Sequence, residues 1–282
     1  MFSSKSFVFA NSSKTVSLTE DEQQWIAKNK NRILTLGIDQ NSGSEYFKYN
    51  GEEKGYLIPI IKIINKNLGL KIKLEASKNW PEVYDGLQNG SVDILFGANE
   101  TVERDKFMNF TMPISKSPYA LIAKKGGDIH TIGDIDKRKV GFLKNDIAIQ
   151  LLPGCYKNIK YDKRIYNSET ELISALINNK IDAFIVSGGD AVYNYIYDFP
   201  ELNYAFKLNK ITSDRTFSTR KDNNILASIL DKEVNNLLGS NLTELMNKSK
   251  IEYNLKIMNL TESEGNWLKN NGTATIGITK DY

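Results

Sequence analysis

Two similar α/β lobes, each a largely parallel sheet with helices wound on both faces, are the fold this sequence predicts. Three observations point there. Short, continuously apolar strands such as Ile33–Ile38, Asp93–Gly97 and Asp182–Val186 suit strands buried on both faces. Amphipathic helical stretches alternate with them, the pattern of a doubly wound architecture. The pattern also repeats: Val83, Leu87 and Asp93 recur at one constant offset as Leu172, Leu176 and Asp182, each set a helix, an Asn/Gly stop and an apolar strand. The size agrees, since 282 residues at 40% hydrophobic and 25% charged content suffice for a two-lobed unit with a sizeable core.

The elements follow in order. Met1 to Ser17 is rich in Ser and Lys without periodicity, and reads as a linker or a targeting remnant. Thr19-Glu20-Asp21-Glu22 is a capping box opening a helix whose apolar face carries Trp25 and Ile26. Ile33 to Ile38 is a buried strand. Pro59 stands in a helix first turn, with Ile60, Ile61, Ile63, Ile64 and Leu68 inward and Gly69 as the stop. Leu70 to Glu75 alternates as a strand with one wet face. Val140 to Leu143 is a further strand, with a helix from about Asp146. Ile225–Leu238 and Ser240–Lys248 are closing helices separated by Gly239. In such sheets ligand sites lie beyond the C-terminal strand ends.

A longer-range repeat sets the domain limits. Leu18, Thr19, Glu20, Glu22 and Trp25 recur in register as Leu260, Thr261, Glu262, Glu264 and Trp267, and each helix is followed by an apolar strand ending Gly37-Ile38 or Gly277-Ile278. The expected layout is a domain over 18–259, then a truncated second copy over 260–282.

Composition excludes several functions. The net charge of +3 with interspersed signs gives no basic block for nucleic acid. No apolar run approaches the roughly 20 residues that span a bilayer. One histidine and one cysteine leave no Cys/His zinc site and no internal disulfide. Cys155 reads as a small buried hydrophobe, and His130 lies in a polar connection with no G-x-S-x-G turn. The expectation is a binding protein rather than an enzyme, with neither metal nor cofactor.

An ordered set of motifs then carries a resemblance. Gly37-Ile38-Asp39, Tyr46-Phe47, Gly55-Tyr56, Trp80, Gly90-Ser91-Val92-Asp93-Ile94 and Thr101-Val102-Glu103-Arg104 are followed by Asn109-Phe110-Thr111-Met112-Pro113, Lys139-Val140-Gly141, Ala175-Leu176 and Ile181-Asp182-Ala183. Over about Leu18 to Asn254 the chain resembles the bacterial extracellular solute-binding proteins of the polar amino-acid type, the periplasmic-binding-protein type II or Venus-flytrap fold. The Asp93-to-Arg104 interval and the tandem repeat resemble its sensory branch, in which two such domains precede a membrane anchor and a signalling output.

The resemblance implies lobe 1 over about 18–115 and 216–258, lobe 2 over about 120–212, and a two-strand hinge near Lys116–Tyr119 and Ser213–Arg215. Lobe closure on a ligand would be the signal. It implies further that Arg104 grips a ligand carboxylate, with Gly97, Asn99 and Thr101 on the adjacent loop and Trp80, Tyr46 and Phe47 as aromatic walls. Lobe 2 departs from the family pattern. Lys144-Asn145-Asp146 replaces the Gly-Ser/Thr anion turn, so that Asp146 would cap the helix itself, and the acidic ammonium partner aligns with Ser187, leaving Asp190 as a shifted substitute. The expected function is a ligand-sensing domain outside a bacterial membrane, binding an amino-acid-like or carboxylate-bearing solute. Its expected partner is a second such domain in the parent chain, with membrane contact only through that parent and no nucleic acid. Alternatives are a transport-associated binding protein and a dehydratase-type enzyme on the same fold.

Overall fold

The computed structural model describes residues 16–187, 189–238 and 242–271. The first ten-residue helix, α1 (Glu20–Asn29), is opened by the expected capping box: Thr19 Oγ1 accepts from Glu22 N, and the Glu22 carboxylate accepts from Thr19 N. Strand β1 (Ile33–Asp39) leads through a 3₁₀ turn (Gly43–Glu45) to a small hairpin, β2 (Phe47–Tyr49) and β3 (Glu52–Lys54). Helix α2 (Leu57–Leu68) buries its Ile face and ends on left-handed Gly69. Strand β4 (Lys71–Lys78) follows, then α3 (Trp80–Asn89), β5 (Ile94–Phe96), the single turn α4 (Val102–Asp105) and β6 (Met108–Phe110).

The chain then crosses once into a second sheet. This contains β7 (Lys116–Lys124), β8 (Lys139–Leu143), α5 (Ala148–Cys155), β9 (Asp162–Tyr166), α6 (Glu169–Ile177), β10 (Ala183–Ser187), α7 (Val192–Asp198) and β11 (Leu202–Asp214). It returns to the first sheet as β12 (Phe217–Arg220), followed by α8 (Asn224–Leu238), α9 (Leu242–Ile257) and α10 (Glu262–Asn270).

Two five-stranded sheets result, ordered β4-β1-β5-β12-β6 and β11-β7-β10-β8-β9. In lobe 1, β1 pairs parallel with β4 and β5, and the returning β12 runs antiparallel to β5 and β6. Lobe 2 mirrors this, with β8, β9 and β10 parallel and β7 antiparallel to β10. Each sheet is covered on both faces. In lobe 1, α2 and α8 pack their Ile and Leu rows on one face, and Val83, Tyr84 and Leu87 of α3 cover the other. In lobe 2, Ala148 and Leu152 of α5 oppose Leu172, Leu176 and Tyr195 of α6 and α7. Burial of this kind, at about 25 cal/mol per Å² of apolar surface, is what makes the continuous apolar strands affordable in free energy.

The hinge is the antiparallel pairing of the two crossings, Thr212 with Pro118, Ser213 with Ser117 and Asp214 with Lys116. Two boundaries differ from the sequence reading. Helix α5 begins at Ala148 rather than Asp146, because Asp146 lies outside it and accepts from Ala148 N at 2.7 Å. Helix α9 runs to Ile257, well past Lys248. Helix α10 carries a capping box, Thr261 with Glu264, of the same form as that of α1. The expected strand at Gly277-Ile278 and the linker over 1–15 lie outside the described residues.

Candidate functional site

Where the lobes meet, the C-terminal strand ends of both sheets converge on one cavity of about 70 Å³, the scale of a few waters or one small solute. Lobe 1 contributes Asp39 and Asn41 after β1, Glu45 from the 3₁₀ turn, Trp80 at the start of α3, Gly97 and Asn99 after β5, and Arg104 from α4. The hinge supplies Ser213 and Arg215. Lobe 2 supplies Tyr119, Asp146, Glu169, Ser187 and Tyr195.

Local sequence explains several placements. Gly97 adopts φ +94°, and an added Cβ would sit 3.2 Å from Arg215 Nη1. The left-handed turn favours glycine there, and a side chain would also press on the Arg215 guanidinium. Thr101 caps α4 by accepting from Arg104 N at 3.1 Å. Asn99 does not reach the cavity as a free amide. Its side chain donates to Thr212 O at 3.0 Å and accepts from Asp214 N at 3.1 Å, pinning the hinge strand to lobe 1.

Arg104 is 3% exposed and bridges the lobes: Nη1 donates to Asn99 O at 3.1 Å, and Nη2 to Asn145 O of lobe 2 at 2.7 Å. Its guanidinium carbon lies 5.9 Å from the Trp80 ring centre and 5.2 Å from that of Tyr84. The indole Nε1 of Trp80 is buried without a hydrogen-bond partner. Beside this bridge, Asp85 of α3 accepts from Lys144 Nζ and Asn145 Nδ2, both at 3.0 Å. Lys144 thus latches the lobes from outside the cavity.

Arg215 pairs through Nε with Glu45 at 2.5 Å and donates to Ser213 Oγ at 2.9 Å and Ser187 Oγ at 3.0 Å. Burial raises the Glu45 carboxyl to about 7, against the pull of Arg215. Asp146 is raised by burial, against hydrogen bonds from Tyr119 OH (2.6 Å) and Ala148 N.

Among the described residues Glu45 alone of the four cavity acids forms an ion pair; Asp39, Asp146 and Glu169 hold only neutral donors. Burial pushes Asp39 up to about 6, against the Asn41 N–H and the longer-range charge of Arg215. Burial and then the Asp39 charge push Glu169 up to about 8. Glu169 accepts from Asn41 Nδ2 at 3.1 Å and from the Tyr195 hydroxyl.

Five sequence-nominated residues lie outside this cavity: Thr101 and Lys144, in the roles just described, and Tyr46, Phe47 and Asp190. Tyr46 and Phe47 line a separate surface pocket, because Tyr46 donates to Glu53 at 2.9 Å and Phe47 packs edge-on against Tyr253 of α9. Asp190 accepts from Ser44 N at 3.3 Å, a cross-lobe contact behind the hinge. Sequence reasoning missed Glu45, Glu169 and Arg215, and quoted Asp39 without assigning it to the site. The strand-end rule marks Asp39, whereas Glu169 reads as an ordinary first-turn helix acid.

A sequence profile of the bacterial extracellular solute-binding proteins, family 3, matches residues 34–249. Curated relatives include the membrane-bound lytic murein transglycosylase F of Pseudomonas fluorescens, 24% identical over 205 residues, and that of Pseudomonas putida, 25% identical over 209. These matches cover 69% and 71% of the chain and 42% and 43% of the relatives, so the chain spans about two-fifths of their length. Among solved structures, the BvgS periplasmic VFT2 domain of Bordetella pertussis superposes with a TM-score of 0.66 at 19% identity, covering 82% of this chain and 98% of that one. The Streptococcus pneumoniae amino acid transporter substrate-binding protein AbpA, bound to L-arginine, gives 0.65 at 22% over 82% and 98%. At these identities the two structures show a shared fold.

The relatives correct the expectation of a non-enzyme, since the proteins matched over most of this chain carry an enzyme's name. That expectation rested on the scarcity of His and Cys, whereas cleavage of glycosidic bonds runs on carboxylates. Among the described residues no helix is long and apolar enough to cross a membrane.

Proposed function

The chain belongs to the bacterial extracellular solute-binding proteins, family 3, and from that premise we propose that it is a ligand-sensing domain of a membrane-anchored signalling protein. It closes two lobes on one small polar solute outside the membrane. The observation that carries this reading is the cavity itself: it is lined from both lobes and the hinge, and the lobes are held together around it by the Arg104–Asn145 and Asn41–Glu169 hydrogen bonds. A solute that bonds to both walls favours the closed state by its differential affinity, which is the whole of the signal. Helix α10, with its capping box repeated from α1, supports a second copy of the domain as the next partner in the chain.

A thermal-shift screen of amino acids, amines, short peptides and organic acids tests the reading. A solute at 100 times its Kd adds about 2.7 kcal/mol of stability, a readily visible shift. A screen in which no solute shifts the midpoint or compacts the domain in small-angle scattering overturns it.

The curated relatives favour a second reading, in which the same closing domain regulates a membrane-bound murein-cleaving enzyme. Release of muropeptides by the full parent protein, modulated by the solute found in the screen, would select it over the signalling one.

A further inference from the structure

We propose that the pole of lobe 2 remote from the cleft is a docking face for an anionic lipid bilayer, whose phosphate-bearing headgroups its lysines hold. The face is separate from the cavity, and the inference stands or falls apart from the reading of that cavity as a solute site.

Strand direction places the face. Leu143 at the end of β8 and Ser187 at the end of β10 line the cavity, and β9 runs parallel to β8, so the starts of these strands lie at the opposite pole. The five residues of β8, at about 3.3 Å each, separate the two by roughly 15 Å, more than the screening length of about 8 Å in physiological salt. At that pole the segments entering the three strands are hydrogen-bonded side by side. Lys137 N donates to Lys160 O at 2.5 Å, Asp162 N to Arg138 O at 2.8 Å, and Asp182 N to Lys139 O at 2.8 Å. Lys137, Lys139, Lys160 and Lys180 are thereby gathered at one end of the lobe, flanked by Lys157 and Lys163, and all six are exposed.

Charge and shape name the partner. Among the described residues none of the six lysines has an ion pair or a side-chain hydrogen bond. The acids beside them are engaged: Asp128 and Asp182 pair with Arg138, Asp162 pairs with Arg164, and Asp134 and Asp136 accept from the backbone N–H groups of Thr131 and Lys160. The lysines are spread over loops and a strand rather than aimed at one point, which suits a plane of many anions better than a single small one. Ile165 separates a bilayer from a soluble polyanion. It follows Lys163 by two residues on the same face of β9, the edge strand of its sheet, and is 51% exposed. Lysines around an exposed aliphatic side chain match the boundary of headgroups and acyl chains, where cations meet phosphate and the apolar group leaves water. Docked there, the chain holds its cleft on the side away from the bilayer.

Co-sedimentation of the chain with extruded vesicles tests the proposal. Vesicles mixing phosphatidylglycerol with phosphatidylcholine should carry the chain down about tenfold more strongly than pure phosphatidylcholine. Salt at about 1 M, where the screening length is about 3 Å, should release it. Lys157→Glu/Lys160→Glu/Lys163→Glu should lower the partition coefficient about tenfold or more. The same change of net charge on exposed lysines of lobe 1, Lys28→Glu/Lys62→Glu/Lys66→Glu, should lower it far less, with melting curves confirming both folds. Equal partition onto the two kinds of vesicle, or onto neither, overturns the proposal, as does an equal loss in the two triple variants. Tighter binding to soluble polyphosphate than to vesicles of matched phosphate content overturns the bilayer in favour of a polymer. None of these outcomes bears on the solute screen, which tests the cavity alone.

Discussion

Asn41 Nδ2 of lobe 1 donates to Glu169 Oε2 of lobe 2 at 3.1 Å, while Asn41 Oδ1 accepts from Asn194 Nδ2 at 2.6 Å. One amide therefore fastens two elements of the opposite lobe, and Asn194 in turn accepts from Tyr253 OH of α9 at 2.6 Å. The cleft acid is joined to the closing helix by three consecutive hydrogen bonds.

Asn41→Ala removes both lobe-to-lobe bonds and leaves Glu169 with one donor fewer. A neutral hydrogen bond contributes about 0.5–1.5 kcal/mol net, so losing two should lower affinity for the solute by about tenfold. Small-angle scattering should show a larger radius of gyration before ligand is added.

Two contacts that lie side by side should differ sharply in weight. Lys144 and Asp85 are each 46% exposed in side chain, and Lys144→Ala should change stability by less than about 1 kcal/mol. Arg104→Ala removes a buried cation from two carbonyls and two aromatic rings, and should lower stability by about 2–3 kcal/mol in urea denaturation.

Asp39 and Glu169 bind protons more tightly folded, at about 6 and about 8, than at their ordinary 3.8 and 4.5. The folded state therefore holds more protons than the unfolded one between those limits. The ligand-free domain should lose stability as pH rises from about 4 to about 8. Arg215, Arg104, Glu45 and Asp146 line the same cavity, so the double variant Asp39→Asn/Glu169→Gln should flatten this dependence rather than abolish it. Denaturation midpoints across that range check it.

Gly55 sits at φ +113°, and an added Cβ would collide with the Glu45 carbonyl. Gly55→Ala should cost about 2–3 kcal/mol and displace the turn that aims Glu45 at Arg215. Chemical denaturation measures the first effect, and loss of solute binding at a temperature where the variant stays folded measures the second.

Much of the scaffold is legible from pattern. The apolar runs at Ile33–Ile38 and Asp93–Gly97, the α2 stop at Gly69 and the Thr19–Glu22 box all act through neighbours in sequence. The site is less legible because its contacts join residues far apart. Arg104 is nominated by the resemblance as the grip on a ligand carboxylate, but its bond to Asn145 on the other lobe is not legible, since that depends on closure. Glu169 carries no local mark, because an acid in the first turn of a helix is common for reasons unrelated to ligands. Tyr46 and Phe47 sit near the cleft in sequence, but the 3₁₀ turn before them rotates both toward α9 and the hairpin.

The small volume between the lobes has a temporal consequence. A molecule enclosed by Arg104–Asn145 on one side and Asn41–Glu169 on the other leaves only after those bonds break. Its dwell time then follows the opening rate of the hinge more than its own contacts. Two solutes of equal affinity could then differ in how long they hold the domain shut, so that the chain distinguishes them by duration rather than by occupancy.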